Sequence, residues 1–218
     1  ITTGWPHCAL MRSPITRLQS VIERAAAGAR EHGARAALES AQHEAAGLQA
    51  MLTTALQISR AEAGIGRERF EPVDLATVLV DLGEIYGPVA EDRGFALTAD
   101  AAPGMVVAAH RELLGQALGN LVENALRHAD GGSCIRLKVE REREAIVVSV
   151  ADDGPGIPTD RWPDALRRFG RLDPSRHASG HGLGLSLVDA TARLHGGRVE
   201  LADAGPGLVV RLILPATG

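Results

Sequence analysis

Apolar residues near the N-terminus fall at Met11, Ile15, Leu18, Ile22, Ala25 and Ala29, in alternating steps of four and three. That spacing predicts a helix with a narrow apolar seam, suited to packing against other helices rather than lying across a sheet. Gly28 and Gly33 loosen the pattern within AGAREHGAR and predict a turn there. A second helical run puts Leu48, Met51, Leu52, Ala55 and Ile58 on one face and meets a stop signal at Gly64 and Gly66. Residues 1–66 therefore read as a helical hairpin. Alone, a hairpin leaves its seam in water. Two copies closing a four-helix bundle are the expected remedy, with folding against the rest of the same chain as the alternative.

The pattern changes after the charged connection IGRERFEPVD, whose residues 67–73 read as a linker. LATVLVDLGEIYGPVAEDRG predicts a helix capped by Asp74, and FALTAD and MVVAAH predict short strands on either side of a Pro-Gly turn. RELLGQALGNLVENALRHA is strongly periodic at helical spacing, and CIRLKVERE and EAIVVSVADD alternate as a strand pair. GLGLSLVDATARLH then reads as a helix, and GRVELAD with GLVVRLILP as a closing hairpin. Helices mixed with mainly antiparallel strands predict a two-layer α/β sandwich over 74–218, and an α+β class for the whole chain.

Composition narrows the function classes. Only 3% of residues are aromatic against 45% hydrophobic overall, so the core must be built from Ala, Leu, Val and Ile. A formal charge of -4, from 27 acidic and 23 basic side chains, argues against a nucleic-acid surface. Cys8 and Cys134 are far apart and belong to no Cys-x-x-Cys pair, so neither a zinc site nor a disulfide framework is suggested, which fits a reducing compartment. No apolar run approaches the ~18 residues needed to cross a bilayer. The chain begins at Ile1 rather than Met, so a fragment of a longer protein is expected, with any membrane anchor outside it.

Three stretches carry candidate chemistry. Asn120 and Asn124 lie four residues apart and share a helix face, with Arg127 and His128 one turn on. A neutral amide oxygen suits Mg2+ beside phosphates, and a cation at the next turn can pair with those phosphates. In DDGPGIP, Asp152 can accept from an exocyclic amine, and Gly154 and Gly156 let the backbone approach a flat base. SGHGLGLSLV, with Gly180, Gly182 and Gly184, is a glycine loop opening a helix, where backbone amides suit an anion. Singly, each has an ordinary reading: solvent-facing Asn residues, a turn, or a dinucleotide fingerprint that lacks its preceding strand.

Their order is more telling. NLVENALRH, DDGPGIP, RRFGRLD and GHGLGLSLV resemble, in register, the N, G1, F and G2 boxes of the GHKL (Bergerat) nucleotide-binding fold of histidine kinases, gyrases, Hsp90 and MutL. The resemblance covers roughly Asp74 to Pro215. It implies that Asn124 ligands Mg2+, that Asp152 reads the adenine amine of ATP, and that Gly180, Gly182 and Gly184 lie along the phosphates. Arg127, His128 and Arg171 would neutralise phosphate charge, and residues 156–179 would form the ATP lid. Leu166 and Gly170 depart from the family, which often has aromatic residues there.

One position separates the branches. Hydrolytic relatives carry a Glu four residues before the Mg2+-binding Asn, where this chain has Asn120. An amide cannot serve as a general base, so phosphoryl transfer to a protein side chain is favoured over a simple ATPase. Glu123 lies about 100° around the helix from Asn124 and does not substitute.

RSPITRL and LQISRAEAG further resemble the dimerisation and phosphotransfer hairpin of sensor histidine kinases. The resemblance implies a homodimer, a response-regulator receiver domain as partner, and the cytoplasmic part of a bacterial inner-membrane sensor. Alignment on Arg12, Ser13 and Pro14, however, puts Ala9 at the acceptor histidine and Leu10 at its acidic neighbour. His7 is the nearest imidazole, yet two residues turn a helix by roughly 200°. A displaced acceptor at His7, an inactivated acceptor and a non-native N-terminus all remain open. The second would make the chain a nucleotide-switched binding module. Ser13 takes the place where relatives orient a water for dephosphorylation, which implies a phosphatase role.

Overall fold

The computed structural model describes residues 31–167 and 183–216, with side chains from residue 38. These residues divide into two compact units, 31–56 and 57–167 with 183–216. Helix α1 (Glu31–Glu62) is continuous through Gly33, where the turn was expected to end. A single Gly costs only about 1 kcal/mol relative to Ala, and the flanking Glu, Ala, Arg and Leu are strong helix formers. The helix expected from Met11 and the remainder of the turn lie outside the described residues. In the first unit Leu38, Leu52 and Leu56 are exposed, whereas Met51 is buried. The division at Leu56 falls before the expected end of the hairpin at residue 66.

In the second unit α1 ends as its glycines demand. Gly64, at φ 72, turns the chain, and Ile65 N–H donates to the Arg60 carbonyl at 3.0 Å. A 3-10 turn at Arg67–Arg69 follows, then β1 (Glu71–Asp74), α2 (Leu75–Asp92), β2 (Ala96–Ala101), β3 (Val106–Ala109) and α3 (Arg111–His128). Next come β4 (Cys134–Glu142), β5 (Ala145–Asp152), the short α4 (Trp162–Ala165), α5 (Gly184–Leu194), β6 (Arg198–Asp203) and β7 (Leu208–Pro215). Asp74 caps α2 as expected, its Oδ1 accepting the Ala76 N–H at 3.0 Å. The linker reading needs amendment, because β1 pairs antiparallel with β3, Val73 opposite Val107. Glu, Pro and Asp are poor strand formers, so one buried Val could not announce the strand.

The main sheet runs β2-β4-β5-β7-β6. Only β2 and β4 are parallel, their connection passing through β3 and α3. Alternation sends Ile135, Leu137 and Val139 of β4, Ile146, Val148 and Val150 of β5, and Val210, Leu212 and Leu214 of β7 to one face. There they meet Leu79 and Leu82 of α2, Leu114, Leu118 and Leu121 of α3, and Val188 and Ala192 of α5. The opposite face carries charged side chains around the buried pair Val147 and Ile213, with Arg211 pairing with Glu142 and, at 3.4 Å, with Glu200. This is the two-layer sandwich that the periodicities imply.

Candidate functional site

Packing of α3 through Leu114, Leu118, Leu121 and Val122 fixes which side chains stay accessible. Asn120, Asn124 and Arg127 are half-buried along its flank and His128 is exposed. Asn120 Nδ2 donates to the Gln116 carbonyl at 3.1 Å. The first residue of α5 closes on Asn124: a Cβ at Gly184 would stand 3.0 Å from Asn124 Nδ2 and 3.3 Å from its Oδ1. Any larger residue at 184 has to displace that amide.

Strand β5 delivers Asp152 to the same end of the molecule. Gly154 N–H donates to Asp152 Oδ1 at 3.0 Å. Burial pushes the Asp152 carboxyl above the usual range, while the backbone N–H groups of Gly154 and Leu208 and the charge of His128 pull it back. Gly154 lies flat on Ala129, the residue that ends α3, and a Cβ there would overlap the Ala129 backbone. That contact joins the end of β5 to the end of α3. Gly156, at φ 67, faces the Gly207 carbonyl, and Gly207 in turn rests on the Asp152 carbonyl.

The two adjacent aspartates have different occupations. Asp153 accepts the N–H groups of Ser133 and Cys134, both at 2.8 Å, and the Ser133 hydroxyl at 2.9 Å. Those backbone bonds hold its carboxyl below the ordinary value. Asp153 thus ties the α3–β4 loop to the end of β5. Glu123 is likewise engaged, accepting the Tyr86 hydroxyl at 2.9 Å. Burial, and then the bond to Glu123 and its charge, push the Tyr86 phenol up to about 12.

Of the residues singled out from sequence, Asn120, Asn124, Arg127 and His128 share α3, Gly184 meets Asn124, and Asp152, Gly154 and Gly156 follow one another from β5. Arg171, Gly180, Gly182, His7, Ala9 and Ser13 lie outside the described residues. Ala129, Asp153 and Gly207 were missed. ADAGPG is legible as a tight turn, but nothing in sequence says which residues that turn rests on. Among the described residues no group of three or more His, Cys, Asp or Glu side chains is placed to hold a metal ion. The donors present, a neutral amide and a half-buried carboxylate beside a glycine-only approach, fit a nucleotide carrying its own Mg2+.

Residues 109–218 match the family model of the histidine kinase-, DNA gyrase B- and HSP90-like ATPases. The chain belongs to this ATPase family. Every described site residue, from Asn120 to Gly184, falls within the family's match. Sensor histidine kinase MtrB of Mycobacterium tuberculosis is 34% identical over 171 residues, covering 77% of this chain and 30% of MtrB. Signal transduction histidine-protein kinase AfsQ2 of Streptomyces coelicolor is 33% identical over 222 residues, covering 94% of this chain and 40% of AfsQ2. The chain therefore spans well under half the length of these relatives. The solved structure of histidine kinase AdeS of Acinetobacter baumannii shares the fold, with a TM-score of 0.76, 20% identity, and coverage of 95% of this chain and 98% of that one. Among the described residues no helix is long and apolar enough to cross a membrane.

Proposed function

We propose that this member of the ATPase family is the phosphotransfer core of a two-component sensor histidine kinase. It binds Mg-ATP and passes the γ-phosphoryl group to a histidine and then to a receiver-domain aspartate. One observation carries the choice of transfer over hydrolysis. The flank of α3 that meets Gly184 presents the amides Asn120 and Asn124, while Glu123 is bonded to Tyr86. General-base activation of water needs a carboxylate or imidazole placed at the reacting centre, and an amide supplies neither.

In this reading Asp152 accepts the exocyclic amine of adenine, and Gly154 and Gly156 keep side chains away from the ring. Asn124 gives its amide oxygen to Mg2+. Asn120 flanks it as a catalytic-site residue. Arg127, His128 and Arg171 pair with phosphate oxygens, beside the loop that carries Gly180, Gly182 and Gly184. Mg2+, when bound, supplies charge neutralisation on the phosphates. What the protein contributes is positioning and electrostatics. The helices up to Glu62 form the dimerising hairpin, residues 63–70 the connection, and the chain from β1 onward the ATP-binding domain of a cytoplasmic homodimer.

Ala9 at the acceptor position favours a second reading, a nucleotide-switched binding module without its own acceptor. Incubation with γ-labelled Mg-ATP, chemical-stability tests and mapping of the label separate the two. Acid-labile, base-stable label on His7 establishes a displaced acceptor. ATP binding with no label, unchanged in His7→Ala, supports the module, and steady phosphate release overturns both in favour of an ATPase. The phosphatase role of Ser13 fails if Ser13→Ala dephosphorylates a receiver domain at the parent rate.

A further inference from the structure

At the end of α5 furthest along the chain from Gly184, His195 is buried with 6% of its surface exposed. Its Nε2 accepts the backbone N–H of His110 at 3.0 Å, and its Nδ1 stands 2.7 Å from the Thr191 carbonyl oxygen. A carbonyl can only accept, so Nδ1 carries the proton, and the N–H of His110 needs the lone pair on Nε2. The contacts therefore require the neutral Nδ1–H tautomer. Phe70 stacks flat on the ring, with centroids 4.6 Å apart and planes inclined by 7°. Alongside, Arg67 Nε donates to the Leu194 carbonyl at 3.1 Å, and a Cβ at Gly66 would stand 3.3 Å from the His110 ring.

Three stretches far apart in sequence thus converge on one imidazole: the segment after α1, the residue that caps α3, and the residue that caps α5. The helices fastened there are the two that carry Asn124 and Gly184. We infer that His195 is a positioning residue of the nucleotide site: its neutral ring fastens the segment 66–70 and the start of α3 to the end of α5, and so sets how Gly184 meets Asn124. This rests on the nucleotide-site reading given above.

The charges around the ring agree with a neutral imidazole. Arg67 of the segment and His110 at the start of α3 are the charged or titratable groups that act on it; Glu68 accepts the Gly66 N–H at 3.0 Å and interacts with Arg69 and His110, and Arg193 of α5 is paired with Asp189. Burial holds His195 below its usual value, and His110 and Arg67 add to the effect against the pull of the Thr191 carbonyl. A depressed imidazole lends stability above its unfolded value and loses it as pH falls through the folded one.

Nitrogen-15 correlation spectra of the imidazoles, hydrogen exchange of amides 66–70 corrected for intrinsic rates, and ADP affinity test the inference on the whole chain. Wild type should show the Nδ1–H tautomer and lose protection of amides 66–70 on acidification. His195→Gln keeps an acceptor for the His110 N–H but has nothing to titrate. It also loses the ring stacked on Phe70 and the Nδ1–H bond to the Thr191 carbonyl, so it should show no acid-induced loss and bind ADP about tenfold more weakly at neutral pH, the equivalent of one hydrogen bond. His110→Gln should keep the wild-type acid response. An Nε2–H tautomer, a wild-type acid response in His195→Gln, or a lowered melting temperature in that variant with ADP affinity unchanged would each overturn the inference. If wild type binds no ADP, the nucleotide reading fails and the site-positioning inference falls with it, whereas the tautomer and exchange results still establish or reject the fastening itself.

Discussion

Tyr86 is the only tyrosine in the chain, so its ionisation can be read by absorbance near 295 nm without a competing phenol. Besides its position around the helix, Glu123 is kept from acting as a base by this hydroxyl, 2.9 Å away. The folded phenol is pushed from 10.0 up to about 12, first by burial and then by the bond to Glu123 and its charge. Glu123→Gln removes the charge and leaves the burial, so the midpoint should fall part of the way toward 10. The stability tied to this phenol is fully present below pH 10 and is lost as pH rises toward 12. Circular dichroism recorded alongside the titration separates ionisation of the fold from unfolding. Because the bond is exposed, its net worth is about 0.5–1.5 kcal/mol, measurable as the coupling in a cycle of Tyr86→Phe and Glu123→Gln. A wild-type midpoint near 10 in the folded protein would refute the contact, and a midpoint unmoved by Glu123→Gln would assign the whole shift to burial. Either result reopens Glu123 as a base, and phosphate release by the variant then decides the matter.

Three further outcomes are expected. If the proposed nucleotide site is right, Asp152→Asn puts a donor where the adenine amine needs an acceptor and should weaken ATP binding about 10–100-fold, the loss of a charged hydrogen bond; because burial raises the Asp152 carboxyl, melting at neutral pH should be unchanged or higher, and the pH dependence just above 3.8 should vanish. Gly154→Ala drives a methyl into the Ala129 backbone and should cost about 1–3 kcal/mol in urea unfolding while loosening nucleotide binding. Leu118→Ala, at a fully buried position of α3, should cost about 2–5 kcal/mol in the same unfolding assay.

What sequence could and could not announce follows the range of the forces involved. α3, β4 and β5 were legible because burial on one side imposes a period, and the period survives in the one-dimensional string. β1 was not, since three of its four residues disfavour strands and its pairing with β3 is a tertiary gain. Gly33 misled for the converse reason: a breaker acts locally, and its neighbours outweigh it. Within the site, the spacing of Asn120 and Asn124 and the glycines after Asp152 were readable, because helix geometry and close backbone approach dictate them. The resemblance assigns Asp152 rather than its neighbour to the ligand; that three bonds from Ser133 and Cys134 occupy Asp153 is a fact of the folded loop that no sequence pattern carries.

The same distinction explains why the site survives on a core so poor in aromatic residues. Aliphatic packing of the sheet against α3 and α5 sets the distance between the helices, but small side chains specify rotation and axial position weakly. The polar and glycine contacts at the helix ends supply what the core lacks. Gly184 lets α5 approach Asn124 more closely than any side chain would allow, Gly154 packs flat on Ala129 where β5 stops, and the hydrogen bonds of His195 to His110 and Thr191 tie the start of α3 to the end of α5. An 11-residue helix is about 16 Å long, and as a stiff rod it converts a displacement at His195 into one at Gly184. Placing the constraints at both ends of α5 therefore makes the geometry around Asn124 depend on the segment that leaves α1, without any residue of that segment having to touch the nucleotide.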